Sequence, residues 1–471
     1  MKRAKMRIKP PHWVQDAIFY HIFPDRFYNG NSENDPQNIR KWGQKPTRNS
    51  FFGGDLEGII YKLPYLEELG INALYLNPIF KAPSNHRYDT TDYYEVDPAL
   101  GDKDTLKRLV RELHRRGMRI ILDGVFNHCG DTFWAFQDVI EKGPKSKYKD
   151  WFIIKDYPIV KQPEPNYRCW MGVPSMPEFN TDNPNVREYL LKIVKYWIKE
   201  ADVDGWRLDT VEYMDPSFVK QIRKAAKEIK EDVYVMGEVM GFATSWFKGE
   251  CLDAVMNYRL RDLLLSFFVK RVINAREFNQ RLYSLRQSYP DWANSVMFNL
   301  LGSHDTPRIF TLCKGNREKF KLCLIFLMTY VGVPVIYYGD EVGLRGGNDP
   351  ECRKCMPWNI DFQTSDIYKF HQRCIQIRKQ YSALKKGSFQ TLLKEKGVYS
   401  FIRKRGKETI IVIMNSTLNP EEICINFSEK GIKGNQFLDL LSGQKYFPQK
   451  DKIQILLPKI SGVILANNYL L

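Results

Sequence analysis

DGWRLDTVEY, residues 204–213, sets Arg207 and Asp209 two positions apart in an apolar run. Side chains on a strand alternate, so these two would share one face. Opposite charges on a buried face are costly unless they pair or do chemistry, and the stretch alone leaves both readings open. Two further carboxylates sit in similar settings, Glu238 in VYVMGEV at 233–239 and Asp305 in GSHD. Together they suggest glycoside cleavage. That reaction needs one carboxylate to attack or stabilise an oxocarbenium-like centre and a second carboxylic acid to protonate the leaving oxygen. In retaining enzymes the two groups lie about 5–5.5 Å apart, a spacing suited to the ends of adjacent strands. A neighbouring guanidinium lowers a carboxylate pKa, so Arg207 would keep Asp209 ionised for attack. Desolvation on an apolar strand would raise Glu238 into an acid's working range. Asp305, with His304, would hold sugar hydroxyls and stabilise positive charge.

Such groups need a scaffold that brings several strand ends together. Short β-branched runs alternate with helical periodicity along the chain. The strands expected are 17–23, 72–79, 119–126, 203–210, 233–239, 252–258, 295–302 and 333–341. Amphipathic stretches at 102–117 and 186–201 fall between them. This alternation predicts an α/β fold, a (β/α)8 TIM barrel, whose catalytic groups come from the C-terminal ends of the strands. Those ends are unusually polar. DGVFNH gives Asp123, Asn127 and His128, and SNHRYDTTDY in the loop after the second strand gives His86, Tyr88 and Asp89. Of seven histidines in the chain, three (His86, His128, His304) fall on this rim. Any one of these residues alone reads as a cap or buried ion pair; their convergence on one face favours a site.

The barrel, domain A, is expected over 14–126 and 186–385. Residues 127–185, rich in Trp, Tyr, Pro and Lys, form an inserted B subdomain after strand 3. From 386 to 471 the pattern turns to alternating runs such as GVYSFIRK, ETIIVIMN and KIQILL, which predicts a C-terminal antiparallel β-sandwich, domain C.

Composition narrows the partners. The net charge of +16 could suggest nucleic acid, but basic residues are interleaved with acids, as in KAAKEIKEDV, and no nucleic-acid motif accompanies them. The expected reading is a solvated basic surface. No run of eighteen apolar residues predicts a membrane span, and the basic N-terminus MKRAKMRIKPPHWVQDAIFY lacks the apolar core of a signal peptide. Nine scattered cysteines fit reduced thiols in a cytoplasmic protein, with Cys352 and Cys355 read as incidental thiols rather than a metal or redox site.

DGVFNH, GWRLDTVEY, VMGEV and NLLGSHD, in this order and spacing, resemble the main motifs of the α-amylase superfamily of glycoside hydrolases. The likeness spans nearly the whole chain. It implies Asp209 as nucleophile, Glu238 as general acid/base, Asp305 as transition-state stabiliser and Arg207 as the residue orienting the nucleophile. It also implies His128 and His304 on the sugar, Tyr88 as the platform beneath it and Asp123 as support from the third strand. MPEFN at 176–180 is similar to the MPKLN of neopullulanases and cyclomaltodextrinases, and GVPVIYYGDEVGLRGGNDPECRKCMPW at 332–358 resembles the same subgroup. There Asp349 and Arg353 would line the non-reducing-end subsite. Thr210 after the nucleophile is the residue expected of α-1,4 preference. VEY at 211–213 replaces the subgroup's ANE, and MGF follows Glu238 where tryptophan is frequent. The barrel begins by about residue 14, without the N-terminal β-sandwich usual in that subgroup.

NGNSENDP at 29–36 and FFGGDLEG at 51–58 offer closely spaced oxygens. On composition alone they read as turns. The resemblance implies a structural Ca2+ site built from Asn29, Asn31, Asn34, Asp35, the Gly53 carbonyl and Asp55, with no metal needed for the chemistry. The expectation is therefore a cytoplasmic retaining hydrolase of cyclodextrins and short maltooligosaccharides, monomer or homodimer. Its rivals are a 4-α-glucanotransferase or α-glucosidase of the same fold and, more remotely, a non-catalytic amylase-like binding protein.

Overall fold

The computed structural model describes residues 9–426, 432–450 and 452–467. The first eight residues of the basic N-terminal stretch, and the last four of the expected C-terminal domain, lie outside them. Eight short strands carry the fold: β1 (Phe19–Ile22), β2 (Ala73–Leu76), β3 (Arg119–Gly124), β4 (Gly205–Leu208), β5 (Tyr234–Gly237), β6 (Ala254–Val255), β7 (Phe298–Leu300) and β8 (Val333–Tyr337). All pair in parallel, in the order β6-β5-β4-β3-β2-β1-β8-β7. A parallel bridge between Met256 and Phe298 joins β6 to β7 and closes the ring. Each expected strand is present. Every residue of β4 is buried, as in a strand covered on both faces.

Helices wrap the ring. α1 (Lys103–Arg115) starts where Asp102 accepts a hydrogen bond from the Thr105 amide at 2.7 Å. It buries Leu106, Leu109, Val110 and Leu113, the i, i+3, i+4, i+7 stripe that faces a core. α2 (Pro184–Ala201) and α3 (Pro216–Ile229) begin with proline at the first helical position behind Asn183 and Asp215 caps. α4 (Tyr258–Leu264) leaves the catalytic end of β6 through an Asn257 cap and runs into a π-helical turn, Leu265–Lys270; α5 (Ala275–Gln287) follows.

The segment between β3 and α2 folds over the barrel mouth around Phe133, Phe136, Trp151, Phe152, Tyr167 and Phe179. A bridge between His128 and Glu178 ties its far end back to the β3 terminus. Beyond the barrel, β9 (Ser388–Glu395), β10 (Val398–Arg405), β11 (Glu408–Asn415), β12 (Glu421–Asn426), β13 (Phe437–Asp439), β14 (Lys445–Tyr446), β15 (Lys452–Leu457) and β16 (Ser461–Ala466) pair antiparallel. A six-stranded sheet faces the β12–β15 pair. β15 alternates exposed and buried residues, and Ile453, Ile455 and Leu457 meet Ile411, Ile413 and Leu465 in a core of their own.

Candidate active site

Arg207 lies fully buried on β4, where an unpaired guanidinium would be untenable. It is held by three acids. Its Nη1 donates to Asp123 Oδ1 at 2.7 Å and to Asp209 Oδ1 at 2.6 Å, and its Nη2 lies 2.8 Å from Glu238 Oε2. The register makes this possible, since β4 pairs Arg207 with Asp123 on β3 and with Met236 on β5, two residues before Glu238. Both initial readings of Asp209 are therefore true at once: it is paired, and it faces a cleft.

That cleft has a volume of about 850 Å³, and its lining includes Asp209, Glu238 and Asp305. Tyr88, His128, Asp349 and Arg353 line it as well. Asp123 and Arg207, expected to support the site and orient the nucleophile, and His304, expected on the sugar, are not among its lining residues. They form the layer beneath, where Arg207 binds Asp123 and Tyr88 links Asp123 to His304. Tyr75 and Tyr88 donate to Asp123 Oδ2 at 2.7 and 2.9 Å. Asn77 Nδ2 lies 3.0 Å from His304 Nδ1. His304 Nε2 lies 2.9 Å from Asp305 Oδ2 and 2.7 Å from Tyr88 Oη. Arg353 joins Asp305 at 3.0 Å to Asp349 at 3.2 Å. His128 stacks on Trp170 and keeps a buried Nε2 without a protein partner, facing the cleft it lines.

Ionisation follows these contacts. Burial pushes Asp209 well above the usual carboxylate range; Arg207 opposes the rise, and Glu238 and Asp123 reinforce it. This corrects the expectation that Arg207 would dominate, since one guanidinium is shared among three acids. Burial also raises Glu238, again against Arg207, with Asp305 adding to the rise. The Asp209–Glu238 pair therefore holds a shared proton more readily than free carboxylates do. Asp305 behaves oppositely. Burial would raise it, but His304, Arg353 and Arg207 hold it well below the usual range. Burial takes His128 down to about 3, so its ring is neutral.

Several cleft residues were not singled out from sequence. Arg48, Asn49 and Phe51 arrive from the long loop after β1, and Trp170 and Met171 from the insert, where Met176 of the MPEFN segment lines the cleft as well. Nothing in their spacing marks them. Asn77, beneath the cleft, was within reach, because it is the polar residue directly after β2. Glu212 accepts from the Met240 and Gly241 amides at 2.8 and 3.3 Å, tying the β4 loop to the segment after Glu238. Thr210, between them, has φ +42° and donates its amide to Glu238 Oε2 at 3.2 Å. Tyr213 reaches Met171 Sδ at 3.2 Å across the cleft edge. Cys352 and Cys355 are buried free thiols behind the site, and the Cys352 thiol donates to the His304 carbonyl at 3.0 Å.

Among the described residues, no cluster of three or more histidine, cysteine or carboxylate side chains could hold a metal. The 29–35 and 53–55 loops are different in kind, mixing two carboxylates with amides and backbone. Asn29 Nδ2 lies 2.8 and 3.0 Å from the two Asp35 oxygens. A Cβ on Gly53, at φ +77°, would fall 2.1 Å from Asp35 Oδ1, so only glycine leaves this cradle open. Asn34 has both amide atoms buried; its NH2 reaches Asp55, and its Oδ1 is left without a donor. Asp55 accepts the Gly30, Asn31 and Gly58 amides, and Asn31 accepts the Glu33 amide. The orphaned amide oxygen and the glycine cradle fit a hard cation that takes carboxylate, amide and carbonyl oxygens.

Comparison with known proteins agrees with this geometry. Residues 21–387 match the alpha amylase catalytic domain, and residues 389–464 match the maltogenic amylase C-terminal domain. A cyclomaltodextrinase from Geobacillus thermopakistaniensis is 47% identical over 97% of this chain and 78% of its own length. Neopullulanase 2 of Thermoactinomyces vulgaris is 41% identical over the same shares. The cyclic alpha-maltosyl-(1→6)-maltose hydrolase of Arthrobacter globiformis, solved with its substrate, superposes with a TM-score of 0.89 at 37% identity over 98% of this chain and 100% of that one. The chain belongs to the α-amylase family of glycoside hydrolases.

Proposed function

We propose that this protein is a retaining hydrolase of α-1,4-glucosidic bonds, acting on cyclodextrins and short maltooligosaccharides. The observation that carries the reading is the shared guanidinium: Arg207 meets Asp209 at 2.6 Å and Glu238 at 2.8 Å. Both carboxyl groups thus meet one guanidinium, an arrangement that suits the close-set pair of a retaining glycosidase. Asp209 attacks the anomeric carbon as Glu238 passes its proton to the leaving oxygen. Glu238, now a carboxylate, then takes a proton from water, whose oxygen displaces Asp209. Asp305, kept ionised by His304 and Arg353, stabilises the positive charge at the sugar ring in both steps. His128, at the cleft wall, bonds a sugar hydroxyl, and Asp349 and Arg353 hold the non-reducing end. The names of the relatives support the substrate class.

The test compares wild type, Asp209→Asn and Glu238→Gln on β-cyclodextrin, maltotriose and pullulan. Each substitution should leave folding intact and lower turnover by orders of magnitude. Unchanged rates would overturn the assignment, and mainly longer products at high maltotriose would make the protein a transferase. Cyclic α-maltosyl-(1→6)-maltose belongs among the substrates, because the Arthrobacter hydrolase aligns end to end.

The reading includes a structural Ca2+ held by Asn29, Asn34, Asp35, the Gly53 carbonyl and Asp55, with Asn31 beside them, and its contribution is to pin the loop after β1. It also includes a cytoplasmic location, supported by nine cysteines that are all free thiols. The assembly that goes with it is a monomer or homodimer, to be read from light-scattering mass.

A further inference from the structure

We infer that a second groove, outside the catalytic cleft, receives the departing end of longer linear α-glucans. This rests on the hydrolase reading above. The groove has a volume of about 550 Å³ and is lined by Phe242, Arg259, Asp262, Glu277, Gln280 and Arg281, among others. That size is ordinary for a small-molecule site, commonly about 300–1,000 Å³.

Its chemistry suits sugar. A glucosyl unit presents an apolar C–H face and a rim of hydroxyls that both donate and accept. Phe242 is 62% exposed, although it is a large apolar ring. The Arg259 guanidinium sits 4.1 Å from its centroid and covers one face. The opposite face is left for a ligand. Asp262, Glu277 and Gln280 supply acceptors, and Arg259, Arg281 and Gln280 supply donors. Glu277 and Arg281 pair at 2.5 Å along α5, which fixes two of these groups in place.

Position identifies which part of a glucan would arrive there. The proton donor Glu238 must lie beside the leaving oxygen, so the chain segment just past it flanks the departing portion. That segment is Met240–Gly241–Phe242. Met240 lines the catalytic cleft, Phe242 lines the second groove, and Glu212 fixes the Met240 and Gly241 amides between them. The other wall starts on the same rim, since Arg259 lies in the first turn of α4, directly after β6. At the far end of the cleft the Arg353–Asp349 pair marks the opposite terminus. A linear chain running past Met240 thus meets Phe242 next.

The experiment measures Phe242→Ala and Gln280→Ala against wild type. kcat/KM for maltoheptaose should fall about three- to tenfold, the scale of one aromatic contact, through KM rather than kcat. Maltotriose, too short to pass Met240, is the reference and should stay within twofold of wild type. Equal effects on both substrates, or none, would overturn the groove. Calorimetric titration of Asp209→Asn and Asp209→Asn/Phe242→Ala with maltoheptaose reads the same site without turnover. An inert wild type would refute the hydrolase reading, while the titration would still decide whether Phe242 contributes to binding.

Discussion

Glu238 accepts a hydrogen bond from the backbone amide of Thr210 at 3.2 Å, so the residue after the attacking carboxylate holds the one that gives up a proton. Thr210 reaches that position only at φ +42°, a left-handed conformation costly for a β-branched residue. Thr210→Gly should remove strain on the order of 1–3 kcal/mol, partly offset by about 1 kcal/mol from a looser unfolded chain. Urea unfolding should show equal or higher stability, while kcat on β-cyclodextrin falls as the amide loses its fixed place. Lower stability would mean that the turn is unstrained.

Glu212 lines the cleft and clamps its rim. Glu212→Ala frees the Met240 and Gly241 amides, and the expected result is a severalfold loss in kcat/KM. Glu212→Gln keeps one acceptor oxygen and should recover most of it. Equal loss in both variants would point to charge rather than the clamp.

Asp123 presses on the site through charge, since its carboxylate helps to raise Asp209. In Asp123→Asn that push is gone, so Asp209 loses its proton at lower pH. The acidic limb of the kcat/KM profile should move to lower pH, with some loss of stability because Arg207, Tyr75 and Tyr88 lose a charged partner. An acidic limb that stays put, or moves up, would contradict this.

The carboxyl of Asp305 is held below its unfolded value, so the sign of its linkage is fixed. Its contribution to stability is present above the unfolded carboxylate pKa, about 3.9, and is lost as pH falls toward the lower folded value. Arg353→Gln removes one of the cations holding it down. The stability gap between wild type and this variant should be greatest near neutral pH and narrow below about pH 4. A gap that widens in acid would invert the assignment.

Binding of Ca2+ to the native 29–55 loops would stabilise the fold by about 2.7 kcal/mol at a hundredfold excess over Kd. Calcium should raise Tm, chelator should lower it, and Asp35→Ala should abolish the response while kcat on β-cyclodextrin at low temperature is kept. A Tm indifferent to calcium in wild type would leave the loops as turns.

The eight strands were legible because each is a short, mostly apolar run, several with a polar residue just beyond the C-terminal end, and their pairing follows chain order. The closed ring was expected too, but the bridge that closes it, Met256 to Phe298, was not, because it depends on two residues far apart whose types carry no signal. The floor of the site was legible for the same reason as the strands. Its walls were not: Arg48, Phe51, Trp170 and Met171 ride on loops whose course is set by packing, such as His128 on Trp170. Proton affinity was the subtler miss. Sequence places Arg207 beside Asp209, but only the register of three strands reveals that the same cation also serves Asp123 and Glu238.

That sharing has a kinetic corollary. Burial, with one cation shared among three acids, raises both carboxyls of the pair and so favours a resting site that holds the proton the leaving oxygen needs. The water that ends the cycle restores it, so no outside acid is consumed and each turnover recharges the next. Turnover at fixed pH should accordingly be insensitive to buffer concentration, and the enzyme should behave as a self-contained proton store rather than a relay to solvent.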